Sequence, residues 1–267
     1  MSVRPVEVRT LAPGVPGAPV VVFAHGLEDS WTSWQPLAAE LDPDWRLLAL
    51  DLPWRPGNNY RWRTRSAGYW LGKGLDLIDA VPDLLVAHSY GANATLELLC
   101  ALDQRPGRAA ALVCPLYRLP HRAVTWRLFD CSRARFVGHM REGLRVRIAE
   151  RASSMDPDVL ESMVDRAVDR VGPPAFLAVF DQFAASADLA LGNVELPTLV
   201  LAGGADPTLS PEAAAALATG MPGGDLRVND DYDHFCHIRQ PSGVAAHLAE
   251  LVDAATRATP STVGELL

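Results

Sequence analysis

Lysine is almost absent from this chain. Of its 24 basic residues only Lys73 is not arginine, so arginine marks positive charge here without implying a need for its two-pronged fork. Together with the many alanines, this bias reads as the codon usage of a GC-rich, actinomycete-like genome. Paired cysteines are missing too. Cys100, Cys114, Cys131 and Cys236 stand far apart with no CxxC, the pattern of reduced, mostly buried thiols and not of a disulfide framework or redox motif. No apolar run reaches the roughly eighteen residues of a membrane span. The opening MSVRPVEVRTL contains no apolar signal-peptide core, so a cytoplasmic location is expected. Excess positive charge is lacking as well: a formal net charge of -8 repels a polyanion over most of the surface and argues against nucleic acid as a partner. No internal repeat or low-complexity tract is found, and the tail Thr259 to Leu267 reads as loosely ordered.

What is present describes an ordinary globular protein. With 267 residues, 49% hydrophobic and 21% charged, the chain can bury one large core and still carry an inserted lid. Near-continuous apolar runs at Val20 to Ala24, Arg46 to Leu50, Leu84 to Ala87, Ala110 to Cys114, Thr198 to Ala202 and, more weakly, Leu226 to Val228 suit parallel strands covered on both faces. Val6 to Leu11 suits an antiparallel edge. Helical patterns fall between them, among them Ser33 to Leu41, Ala92 to Asp103, Pro211 to Thr219 and Gly243 to Thr256. The alternation predicts an α/β fold with a mainly parallel, doubly wound sheet. From Tyr117 to Leu191 no strand pattern appears. Leu160, Met163, Val164, Ala167, Val168 and Val171 share one helical face, and Phe176, Phe180 and Phe183 mark another helix over Pro173 to Leu189. The organisation expected is a core of residues 1–116 and 192–267 with a helical cap at 117–191. The cap's phenylalanines either form its own core or roof a pocket.

Chemistry gathers at four places. In DLLVAHSYGANATLELL, Ser89 stands between a strand and a helix, with the small residues Ala87 and Gly91 two positions to either side. That is the setting of a nucleophile elbow, a strained turn that presents the serine while strand and helix backbones approach closely. In VVVFAHGLEDSWTSW, the His25-Gly26 turn ends the first core strand, and the backbone N–H groups of Leu27 and Tyr90 are candidate donors to an oxyanion. His25 is expected to brace this loop rather than to shuttle protons. Asp206 follows the strand of LVLAGGADPTLSPE, and His234 follows the last weak strand in NDDYDHFCHIRQPSG. Serine, acid and histidine thus occur in that order, each just after a strand end, and parallel strands bring those ends to one edge. A neutral serine needs a base to take its proton, and the base needs an acid to orient it. Alternatives are His237 for the histidine, and loss or relocation of the acid. A metal site from His234, Cys236 and His237 matches no regular spacing, and no metal or cofactor is expected.

His25-Gly26, Ala87-His88-Ser89-Tyr90-Gly91, Asp206 and His234 together resemble the signature set of the α/β-hydrolase fold superfamily, over about Pro19 to Ala255. The resemblance implies a cap inserted after the sixth strand and an acyl-serine intermediate on Ser89. His234 would then act as general base and later acid, with Asp206 orienting it. Serine at the elbow sets the chain apart from haloalkane dehalogenases and epoxide hydrolases, which carry aspartate there. Ester or thioester hydrolysis, transfer of the acyl group to another acceptor, and C–C or lactone hydrolysis all remain open. So does a non-catalytic receptor on the same fold.

The segment DLPWRPGNNYRWRTR departs from the glycine-rich turn of such relatives. Trp54, Arg55, Arg61, Trp62 and Arg63, with Trp31, are candidate substrate contacts beside Phe176 and Phe180. A cationic, aromatic rim of this kind would suit an acyl or peptidyl carrier protein in an actinomycete natural-product pathway. The alternative is that the tryptophans pack beneath the cap while the arginines face water or acidic neighbours.

Overall fold

The structure, a computed structural model, describes residues 5–101, 106–149 and 154–257; the tail from Thr259 and the position of Asp103 lie outside them. Seven strands form one sheet: β1 (Glu7–Ala12), β2 (Val20–Ala24), β3 (Arg46–Asp51), β4 (Leu84–His88), β5 (Ala110–Val113), β6 (Thr198–Gly203) and β7 (Gly224–Asn229). Their spatial order is β1-β3-β2-β4-β5-β6-β7. Only β1 runs antiparallel, and it carries a bulge between Thr10 and Ala12. The remaining pairs are parallel, so their C-terminal ends share one edge.

The strands are apolar throughout because both faces are covered. Alternate residues diverge: Val22 and Ala24 of β2 join one core, and Val21 and Phe23 join the other. On the first face lie α2 (Ala67–Leu75), α3 (Tyr90–Cys100) and α6 (Pro211–Gly220); on the second lie the short α1 (Gln35–Ala38) and α7 (Cys236–Arg239), with α8 (Pro241–Arg257). The single helix expected over Ser33 to Leu41 is a 3-10 turn at Trp31–Trp34 followed by α1, with proline in its first turn. No sequence pattern singles out α2, because glycines dilute it. Gly74 is nonetheless required, since a Cβ there would lie 2.8 Å from the Leu50 side chain. Helix propensity is given up for close packing on the sheet.

Between β5 and β6 the chain forms α4 (Trp126–Arg147) and α5 (Pro157–Ala185). Thr125 caps α4 by accepting from Leu128 N–H, and Asp156 caps α5. The two helix patterns read around Pro157 and Pro173 meet as one interrupted helix: Gly172 adopts φ 65, ψ -175, and Pro173 and Pro174 start the second half. Arg141 and Arg145 of α4 pair with Glu161 of α5, and Arg141 also with Asp165. Among the described residues no helix is long and apolar enough to cross a membrane.

Candidate active site

Ser89 sits at the junction of β4 and α3 with φ 51 and ψ -117, a conformation that costs a non-glycine residue free energy. Its surroundings enforce it. Ser89 N–H donates to Val113 O at 2.9 Å, and a Cβ on Gly91 would lie 2.5 Å from His25 O and 2.7 Å from Ala24 O. Asn93, one turn into α3, exchanges two 2.7 Å hydrogen bonds with the backbone of Leu116. The elbow is thereby tied to the segment that leads into the cap.

Ser89, His234 and Asp206 meet in space. Ser89 Oγ and His234 Nε2 are 2.9 Å apart, and His234 Nδ1 lies 2.8 Å from Asp206 Oδ2. The other carboxylate oxygen accepts from Thr208 N–H at 2.8 Å and from the Thr208 hydroxyl. Burial works to raise the Asp206 carboxyl pKa, but attraction to His234 and the bonds from His234 and Thr208 prevail and hold it below the usual carboxylate range. A carboxylate that stays ionised fixes the proton on Nδ1 and leaves Nε2 free to accept from the serine. His237, the alternative histidine, is fully buried away from Ser89, with its ring 4.2 Å from that of His88 and 4.8 Å from that of Trp34.

The neighbouring loops are held in place. His25 Nδ1 donates to Gly26 O at 2.8 Å and Nε2 accepts from Leu52 N–H at 3.0 Å, so both nitrogens are engaged in bracing. His88 Nε2 donates to His234 O at 2.7 Å. Tyr90 N–H opens α3, where helical N–H groups lack intrahelical partners, and Leu27 faces the same cavity as Ser89.

That cavity, about 320 Å³, separates the sheet edge from the cap. Ser89 and His234 line it, as do Phe136, Phe176, Phe180 and Phe183; the cap phenylalanines therefore roof a pocket as well as packing on one another. His139 of α4, not anticipated from sequence, stacks on His234 with centroids 4.4 Å apart and planes 19° from parallel. The helical spacing of Phe129, Phe136, Met140 and Gly143 on α4 could have shown which face looks inward. Thr208 could have been suspected from its place two residues beyond Asp206.

The arginine and tryptophan stretch is not on this cavity, contrary to the expectation of a substrate rim. Trp54 is fully buried and donates to His25 O at 3.0 Å; its ring and that of Trp62 pack edgewise on Tyr90. Arg55 turns back to Asp51 and Pro5 O, Arg61 is exposed, and Arg63 pairs with Asp181 of α5 at 2.5 Å. Trp31 packs by the second core, with Arg9 over its ring. The segment instead buttresses the loop after β2. Glu28 accepts from Tyr60 OH at 2.6 Å and from Asn58 Nδ2 at 2.8 Å, and its N–H donates to Trp54 O at 2.9 Å. Arg147 of α4 clamps the same loop from above through Glu28 O and Asp29.

Two groups among the described residues bring three metal-type ligand atoms within 4.8 Å of one another: Cys114, Asp206 and His234, and Asp29, His88 and His237. In the first, His234 is already engaged by Ser89 and Asp206. In the second, Arg147 and Ser30 N–H bind Asp29, while His88 Nδ1 and both His237 nitrogens have no hydrogen-bond partner among the described residues. Cys114 and Cys236 are buried free thiols with sulfurs 4.0 Å apart.

The structure is similar to that of a membrane phospholipase A described as a bacterial virulence factor: TM-score 0.70, 18% identity, 95% of this chain and 84% of that one covered. It is also similar to the enol-lactonase of Burkholderia xenovorans LB400, with TM-score 0.63, 19% identity and 93% and 96% covered. An N-acyl homoserine lactone degrading enzyme aligns with TM-score 0.61, 19% identity and 92% and 96% covered. At these identities the likeness is one of fold. No curated protein matches the chain in sequence. A sequence profile described as the alpha/beta hydrolase family matches residues 21–247, and the chain belongs to that family.

Proposed function

We propose that this protein is a serine-dependent acyl hydrolase acting on a small ester or thioester. The observation that carries the reading is the unbroken chain from Ser89 Oγ through His234 to Asp206, at 2.9 and 2.8 Å, opening on a cavity with a phenylalanine wall. Ser89 Oγ attacks the carbonyl carbon while His234 Nε2 takes its proton. The tetrahedral oxyanion accepts hydrogen bonds from Leu27 N–H and Tyr90 N–H. Collapse breaks the bond to the alcohol or thiol, which leaves with the proton held by His234. Water, deprotonated by the same imidazole, then releases the acid and restores Ser89. A lactone, being a cyclic ester, opens by the same steps.

Transfer to an acceptor other than water shares the first half of this sequence. Because Arg55 and Arg63 are engaged within the chain, the substrate proposed is a free small molecule and not an acyl group delivered by a carrier protein docked on residues 54–65. The test is labelling with a fluorophosphonate followed by peptide mapping. A single adduct on Ser89, absent from Ser89→Ala, is expected; a folded sample that takes no label would overturn the assignment.

A further inference from the structure

The chain is acidic, with a formal net charge of -8, yet its cavity is not. Arg118, Arg122, Arg135 and Arg147 line it against one carboxylate, that of Asp29. The four arginines are not equivalent. Arg147 is committed to Asp29 and Glu28 O. Arg118 donates to Ala184 O at 2.9 Å and to Arg122 O at 2.6 Å, with Asp188 3.9 Å away. Arg122, just before α4, and Arg135, on α4, are exposed, and neither forms an ion pair with a carboxylate among the described residues. Two arginines without a carboxylate partner among the described residues thus line the cavity, while Phe136, Phe176, Phe180 and Phe183 supply an apolar wall.

Excess charge of one sign inside a partly desolvated cleft raises the local concentration of the opposite charge, and guanidinium groups bind carboxylate and phosphate oxygens in pairs. The geometry points to a substrate that is an anionic ester or thioester, its negative group separated from the scissile carbonyl by an apolar segment, with Arg122 and Arg135 receiving the anion. The apolar segment lies along the phenylalanines, the carbonyl reaches Ser89, and the charge remains near the wetter end. Neither arginine touches the reacting atoms; both determine specificity. The inference rests on the Ser89 reading and narrows its substrate class.

The test compares kcat/KM within matched pairs of p-nitrophenyl and thioester substrates of equal length. One pair carries an ω-carboxylate or its neutral methyl ester on the acyl side. A second carries a carboxylate or phosphate, or a neutral group, on the leaving side. A preference of about tenfold or more for the charged member of one pair is expected, shrinking as salt is raised; the pair that shows it reveals which half of the substrate the arginines hold. Arg122→Ala and Arg135→Ala each reduce that preference several-fold, mainly through KM, with partial rescue by lysine. Arg127→Ala, exposed on the same helix and off the cavity, leaves the preference unchanged. Equal or better turnover of the neutral members, or a preference indifferent to both arginines, overturns this inference while leaving Ser89 as nucleophile. Failure of every substrate together with failure of fluorophosphonate labelling overturns the underlying reading, and this one with it.

Discussion

His139 lies flat against His234, ring on ring at 4.4 Å, so the cap supplies one wall of the imidazole that holds Ser89. Burial and the proximity of His234 lower the His139 pKa to about 4, leaving it a neutral plate at working pH. The stacked ring covers one face of the His234 imidazole, and the role expected of it is positional. His139→Ala should reduce kcat about tenfold with a smaller change in KM, as expected when a reacting group loses its fixed orientation. His139→Phe should recover most of the loss, and the pH–rate profile above pH 5 should keep its shape in both variants. Steady-state kinetics across pH would check this; a bell shifted by His139→Phe would contradict a purely positional role.

Thr208 supports the acid from the other side. Its hydroxyl and its N–H both donate to Asp206 Oδ1. Thr208→Val removes the hydroxyl bond and keeps the backbone one, so kcat/KM should fall about three- to tenfold, the equivalent of roughly 1 kcal/mol. Thr208→Ser should stay near the parent value. Rates measured at saturating and limiting substrate would show whether the valine variant behaves so.

Gly91 is a steric requirement. A methyl group there meets two carbonyl oxygens of the β2 turn within 2.7 Å, and neither can move without displacing the oxyanion loop. Gly91→Ala should destabilise the fold by about 2–3 kcal/mol, read as a lower urea midpoint. Ala87→Gly, the change toward the commoner elbow pattern, should cost under about 1 kcal/mol.

Stability should depend on pH in a definite direction. Burial lowers the imidazole pKa of His25, His88, His139 and His237, to about 3 for His88 and about 4 for His139. The unfolded chain takes up these protons near pH 6.5, whereas the folded one resists them until the pH is much lower. The stabilisation is complete above about pH 6.5 and is lost as pH falls toward 4, by up to about 1.4 kcal/mol per pH unit for each imidazole. Urea midpoints at pH 7.5 and 5.0 should differ, the acidic one being lower. His237→Phe should make the slope shallower.

Much of the scaffold was legible because buried parallel strands need unbroken apolar runs, and Val20 to Ala24 or Thr198 to Ala202 admit few other readings. The convergence of Ser89, Asp206 and His234 on one edge could likewise be anticipated from their places after strand ends. Helix α2 was hidden because Gly68 and Gly74 answer to packing partners distant in sequence. For α4, the apolar spacing marks the inward face, but the stacking of His139 on His234 depends on what the fold places beneath that face.

The amino-acid order alone determined the sheet, the elbow and the chain order serine, acid, histidine, since each depends on short-range patterns of apolar, small and polar residues. Only tertiary structure decided which arginines face the cavity. The charge-rich stretch around Trp54 to Arg65 supports the loop after β2, while Arg122 and Arg135, unremarked in sequence, line the cavity. The reason is physical: every arginine carries the same charge, and whether it braces a loop or meets a ligand depends on which carboxylates the fold brings within reach.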